Sequence, residues 1–128
     1  MLLVGNGKLI TRDSALPYLA DGAVVLDGDV VKEVGAFADL KAKYPDAEFV
    51  DAKGGVIMPG LINAHTHIYS GLARGLAIDG NNPTNFLEVL EGMWWNIDRH
   101  LTLDGTKVSA YATVLDCIRD GVTTIFDH

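Results

Sequence analysis

The chain changes texture at Pro59, and that change constrains the fold more than any other feature. Before Pro59 lie short β-like runs broken by turn residues. Leu2 to Ile10 is one apolar run interrupted by Gly5-Asn6-Gly7. Ala23-Val24-Val25-Leu26 and Val30-Val31-Lys32-Glu33-Val34 flank Asp27-Gly28-Asp29, which predicts a hairpin because glycine adopts positive φ cheaply. Ala36 to Tyr44 fits one short helix stopped by Pro45, and Phe49-Val50 and Val56-Ile57-Met58 read as strands around Gly54-Gly55. Short strands without βαβ spacing predict a small sheet or sandwich, here a partial β-sandwich over residues 1–58.

From residue 59 to 128 the period becomes helical. Leu61-Ile62-Asn63-Ala64-His65 is a short strand, followed by one amphipathic helix within Thr66 to Leu103. Pro83-Thr84-Asn85 marks its start, with Asn85 and Glu88 spaced as a capping box, and Phe86, Leu90, Met93, Trp94 and Ile97 recur on one face. A second helix fits Asp104 to Asp120, with Val108, Tyr111, Leu115 and Ile118 on one face and Gly121 as its stop. Val122-Thr123-Thr124-Ile125-Phe126 is β-branched and reads as a buried strand. Strand, helix and strand make one βαβ unit with a parallel pair. The expected class is therefore α/β with a β-rich N-terminal part. No repeat or low-complexity segment interrupts it.

Composition excludes several roles. Acidic residues outnumber basic ones 17 to 10, for a net charge of −7, with no Lys/Arg cluster, so nucleic acid and anionic membrane are poor partners. No apolar run approaches the roughly 18–20 residues of a membrane span. The N-terminus MLLVGNGKLI lacks the features of a signal peptide. One cysteine, Cys117, forms no internal disulfide and suits a reducing cytoplasm.

The chemistry concentrates at His65-Thr66-His67. On extended backbone, residues i and i+2 point to the same side, so both imidazoles can face one point. Neutral imidazole is the commonest metal ligand, and two facing one point make half of a site for Zn²⁺ or Fe²⁺. A bare His-x-His pair also arises by chance, but this one ends a strand, where parallel α/β arrangements build their sites.

The other candidates carry bland readings beside the sharp ones. His100 precedes the second helix in a polar stretch and reads as an exposed loop residue. His128 follows the second strand, so it reads as a substrate-pocket residue at the same mouth or as a frayed end. Arg74 is a candidate for holding an anionic or carbonyl group, against the common role of ion-pair partner. Of Trp94 and Trp95, one is expected to pack as core; the other is a candidate for capping a pocket for a flat heterocycle. Asp127 is a candidate for orienting an imidazole, against simply satisfying backbone donors. Cys117 reads as a small buried hydrophobe. Gly54-Gly55, Gly60 and Gly105 read as turn glycines, and no phosphate loop of the GxxxxGK[ST] kind exists.

The segment Met58-Pro59-Gly60-Leu61-Ile62-Asn63-Ala64-His65-Thr66-His67 resembles the first barrel strand of the amidohydrolase superfamily. Gly71-Leu72-Ala73-Arg74-Gly75 is similar to the continuation in its deaminase and chlorohydrolase branch. Tyr69 to Gly75, Trp94 to Arg99, and Asp127-His128 are most similar to SsnA-type aminohydrolases. The resemblance implies the start of a (β/α)₈ barrel behind a small β-sandwich, and one divalent metal that activates a water. It carries the first two ligands onto His65 and His67. The other ligands, two His and one Asp, and the catalytic Glu are implied on later strands, so the catalytic residues are expected beyond residue 128.

A full barrel takes about 250 residues, so 128 residues are expected to be the N-terminal part of a larger hydrolase, inactive alone. The implied reaction is deamination of a small heterocycle such as a purine or pyrimidine. The parent is expected to be cytoplasmic and homo-oligomeric. The competing readings are a non-catalytic fragment or partner-dependent module, and a hydantoinase-like cyclic amide hydrolase with two metals bridged by a carboxylated Lys.

Overall fold

Leu2–Ile10 forms a single strand, β1, despite its Gly-Asn-Gly interruption. Asn6 takes φ +59, a conformation asparagine tolerates, and the pairing of β1 shifts register on either side of Gly7. A bulge absorbs the interruption and the strand continues. The computed structural model describes residues 1–128, which divide into two compact units, Met1–Pro59 and Gly60–His128.

In the first unit, β2 (Tyr18–Asp27) pairs antiparallel with β1 and with β3 (Val30–Ala36). Asp27 stands opposite Val30, so the hairpin closes on two residues, Gly28 at φ +64 and Asp29. The helix α1 (Phe37–Lys43) then leads to β4 (Glu48–Asp51) and β5 (Val56–Ile57). Both run parallel to β1 and share its free edge, β4 along Leu2–Gly5 and β5 along Lys8–Leu9. The result is one five-stranded mixed sheet rather than the two layers of a sandwich. Its strands alternate, so Leu3, Ala23 and Val25 face α1 and bury against Leu40. The opposite face lines an apolar hollow of about 390 Å³ with Val4, Val24, Val34, Ile57 and Met58. The helix takes the place of a second sheet on the face of Leu3, Ala23 and Val25.

Lys43 Nζ lies 2.7 Å from Glu33 Oε2, and the Tyr44 hydroxyl donates to the same oxygen at 2.6 Å. These bonds, first that to Lys43, hold the Glu33 carboxyl below the ordinary 4.5 of a glutamate. A lowered folded-state pKa gives stability that is present above the unfolded value and lost as pH falls through the folded one. Glu33→Gln is therefore expected to flatten the acid limb of a melting-temperature profile below about pH 4.5. An unchanged acid limb would count against the pair.

In the second unit, β6 (Leu61–Thr66) and β7 (Val122–Asp127) form a parallel two-stranded sheet joined through α4 (Leu103–Arg119). The pairing ends at Thr66 opposite Asp127, so the carboxyl ends of both strands coincide. Between β6 and α4 lie a 3₁₀ segment (Ile68–Ala73), α2 (Phe86–Val89), a π turn (Leu90–Trp94) and α3 (Trp95–His100). Asn85 Oδ1 accepts from Glu88 N–H at 3.1 Å, but the Glu88 carboxylate accepts from the N–H and hydroxyl of Thr84, one residue earlier than a capping box requires. At the π turn the Asn96 amide donates to the carbonyls of Glu91 and Gly92, satisfying groups the wider turn frees. Thr102 Oγ1 caps α4 by accepting from Gly105 N–H at 3.0 Å, so Gly105 is helical rather than a turn residue. Thr102→Ala is expected to cost about 1 kcal/mol in urea unfolding.

The structure departs from the sequence reading at β7, at the two tryptophans and at Gly60. The α4 face of Val108, Tyr111, Leu115 and Ile118 is exposed, while Ser109, Thr113 and Cys117 are buried. Those small side chains recur every four residues and let the 3₁₀ segment approach closely, which larger apolar ones would not. Strand β7 is not buried, because a two-stranded sheet covers neither face fully; Phe126 is 57% exposed. Neither tryptophan is core: Trp94 is half-buried and Trp95 exposed. Gly60 marks a close approach rather than a turn, since a Cβ there would overlap Thr123 of β7.

Candidate functional site

The carboxyl ends of β6 and β7 bring three histidines together. His65 sits in β6, and His67 lies just past it at the start of the 3₁₀ segment. Their Nε2 atoms are 3.3 Å apart. The His128 N–H donates to Thr66 O at 3.1 Å, which places its ring 5.1 Å from that of His65 and 6.0 Å from that of His67. His67 Nδ1 lies 3.1 Å from the main-chain oxygen of His128.

A hollow of about 400 Å³ opens beside His67, lined also by Arg74, Leu76, Met93, Trp94 and Ile97. The Trp94 ring centroid is 6.3 Å from that of His67. Arg74 Nη2 pairs with Asp116 Oδ2 at 3.1 Å, while the side chain stays 72% exposed. Asp127 Oδ1 accepts from the main-chain N–H of Ile68 at 2.8 Å, not from an imidazole. His100 is remote in role: it ends α3 rather than sitting in a loop, with Nδ1 2.7 Å from Asn96 O. Cys117 is buried and free in α4.

Two residues of this neighbourhood carry weak sequence signals. Tyr69 packs edge-on to His67 at 5.8 Å, and burial, with the Asp98 carboxylate second, pushes its phenol up from the usual value. It continues the i, i+2 series of His65 and His67, but the 3₁₀ turn at Ile68 ends the extended backbone that such a series needs. Ser109 donates to Ile68 O at 2.8 Å and accepts from Leu72 N–H at 3.2 Å. A small polar residue inside a helix announces no such task.

The donor set fits part of a divalent metal site. Two nitrogens bound at about 2.0–2.1 Å to one tetrahedral ion stand ~3.3–3.4 Å apart, and the His65 and His67 Nε2 atoms are separated by 3.3 Å. No third His, Cys, Asp or Glu side chain joins them to complete a set of three. Two imidazole nitrogens are fewer than the three or more protein ligands a catalytic zinc takes. No helix is long and apolar enough to cross a membrane.

The sequence profile of the amidohydrolase family matches residues 56–128, and that of a bacterial imidazolonepropionase-like composite domain matches residues 22–47. The chain is 32% identical over 126 residues to a 5'-deoxyadenosine deaminase of Methanosarcina mazei, covering 98% of this chain and 27% of the relative. It is 33% identical to a 5-methylthioadenosine/S-adenosylhomocysteine deaminase of Thermococcus onnurineus, with the same coverage. Among solved structures, the zinc complex of atrazine chlorohydrolase from Arthrobacter aurescens aligns with a TM-score of 0.80 at 30% identity, over 99% of this chain and 28% of that one. The chain thus spans 27% of the length of the curated relatives it matches.

Proposed function

The chain belongs to the amidohydrolase family, and on that premise we propose that it forms the N-terminal part of a metal-dependent hydrolase that deaminates a small heterocycle. The observation that carries this is the convergence of His65 and His67 Nε2, 3.3 Å apart at the carboxyl end of β6. In this reading His65 and His67 hold a divalent ion, zinc or iron, with the remaining ligands supplied by later strands. Such an ion, when bound, would supply a water of near-neutral pKa for attack on an electrophilic ring carbon.

This chain's own residues then bind and orient. His128 stands beside both ligands and faces the same mouth. Trp94 offers an indole against which a flat ring stacks. Arg74 is held by Asp116 and keeps an exposed guanidinium on the rim of the hollow, where it meets a polar edge of the substrate. The deaminase names of the relatives support an adenosine-type substrate, with purines and pyrimidines as the wider class.

Displacement of chloride rather than ammonia is a second reading, favoured by the likeness to the chlorohydrolase. Both reactions place a hydroxyl on a ring carbon and differ only in the leaving group. The test assays ammonia and chloride release from adenosine derivatives and chlorinated heterocycles, using the protein with its remaining strands. Ammonia from the former is expected. Chloride alone would select the second reading, and neither product would sink both.

A further inference from the structure

Ile68, the residue after His67, is held through both of its main-chain polar groups. Its N–H donates to Asp127 Oδ1 at 2.8 Å, and its carbonyl accepts from Ser109 Oγ at 2.8 Å. The two side chains come from different elements, the end of β7 and the middle of α4. No strand ladder continues here, because β6 ends at Thr66 and the 3₁₀ segment begins at Ile68. The first N–H groups of such a segment have no partner within it, so a side-chain acceptor decides where the turn sits.

The consequence falls on His67. The main-chain oxygen of His128, 3.1 Å from Nδ1, can only accept a hydrogen bond. Nδ1 therefore carries the proton, and Nε2 keeps its lone pair on the side facing His65. The tautomer that exposes Nε2 as a donor to a metal thus depends on His67 staying seated against the end of β7. The peptide unit following it is anchored to that same strand end by Asp127.

We propose that Asp127 is a positioning residue: by holding Ile68 N–H it keeps His67 against the His128 main-chain oxygen, in the Nδ1–H tautomer, with Nε2 free. Ser109 holds the other side of the same residue from α4. Asp127 on this account touches neither metal nor substrate; its value for ligation rests on the metal reading above, but its effect on the tautomer does not. Outer partners of metal-binding histidines typically change metal affinity about 10–100-fold.

The test reads the imidazole nitrogens of the ¹⁵N-labelled, metal-free chain by long-range proton–nitrogen correlation at pH 8, then titrates Zn²⁺. Wild type is expected to show His67 with Nδ1 protonated and Nε2 bare. Asp127→Ala is expected to shift His67 toward the Nε2–H form and to weaken Zn²⁺ binding about tenfold. Asp127→Asn, whose amide oxygen still accepts from Ile68, is expected to restore both. Ser109→Ala is an independent arm with the same expected loss, and amide spectra check that each variant is folded; Asp127 lies exposed at a strand end, so its truncation spares the core. The proposal is overturned if wild-type His67 is Nε2-protonated. It is equally overturned if Asp127→Ala leaves tautomer and affinity unchanged, or if Asp127→Asn is as impaired as Asp127→Ala. A tautomer that responds to Asp127 in a chain that binds no Zn²⁺ would support the positioning role while refuting the metal reading.

Discussion

Replacing His65 and His67 together by alanine is expected to abolish divalent-metal retention, and with it hydrolysis by the protein carrying the remaining strands. Structural zinc sites are worth about 10–16 kcal/mol over four ligands, so each ligand contributes on the order of 2.5–4 kcal/mol. That is roughly a hundred- to thousandfold in affinity for each histidine. On the proposed reading the two share one ion, so their losses need not add, but either alone should empty the site at micromolar metal. Both side chains lie at an exposed or half-exposed strand end, not in a core, so the fold should survive. Metal content after dialysis, with a circular dichroism spectrum as control, decides the matter. Metal content equal to wild type in a folded double variant would falsify the assignment of these histidines as ligands.

The second large effect is expected at Gly71, where the 3₁₀ segment meets α4. A Cβ there would overlap Thr113 Oγ1 and sit 3.2 Å from Ser109 Oγ, so Gly71→Ala must push the segment off the helix. Overpacking of this kind costs about 1–3 kcal/mol, and here it also disturbs Ser109, which clasps Ile68 and Leu72. Thr113 Oγ1 is buried without a hydrogen-bond partner. Its removal should therefore cost little alone, and the double variant Gly71→Ala, Thr113→Ala should regain most of the lost stability. Urea unfolding of the two single variants and the double forms a cycle. If Gly71→Ala unfolds at the wild-type midpoint, the close packing of this segment is not what orders it.

The elements legible in the sequence are those whose signals are local. The Asp27-Gly28-Asp29 hairpin needs only a glycine at positive φ between apolar runs, and α1 needs only the proline after Tyr44. The parallel pairing of β4 and β5 with β1 joins residues 46 to 48 positions apart in sequence, and no local pattern encodes it. The same division runs through the site. Convergence of His65 and His67 follows from the two-residue period of a strand, and is observed as Nε2 atoms 3.3 Å apart. The partnership of Asp127 with Ile68, and of Arg74 with Asp116, depends on how β7 and α4 return to β6.

Helix α4 shows why periodicity alone stops short. Val108, Tyr111, Leu115 and Ile118 mark an apolar stripe correctly, yet the contact that orders the 3₁₀ segment is made by Ser109 and Thr113 on another face. A stripe states what a helix gains by burying that face; it does not state which neighbour arrives, or whether close approach selects small residues instead. By itself, then, the sequence determined the two textures, the strand-end histidine pair and the family to which they point. Only the tertiary structure decided that β7 ends level with β6, bringing His128 and Asp127 beside His67. The reason is physical: strand register and helix docking are settled by contacts between residues tens of positions apart, which a chain acquires only when it closes on itself.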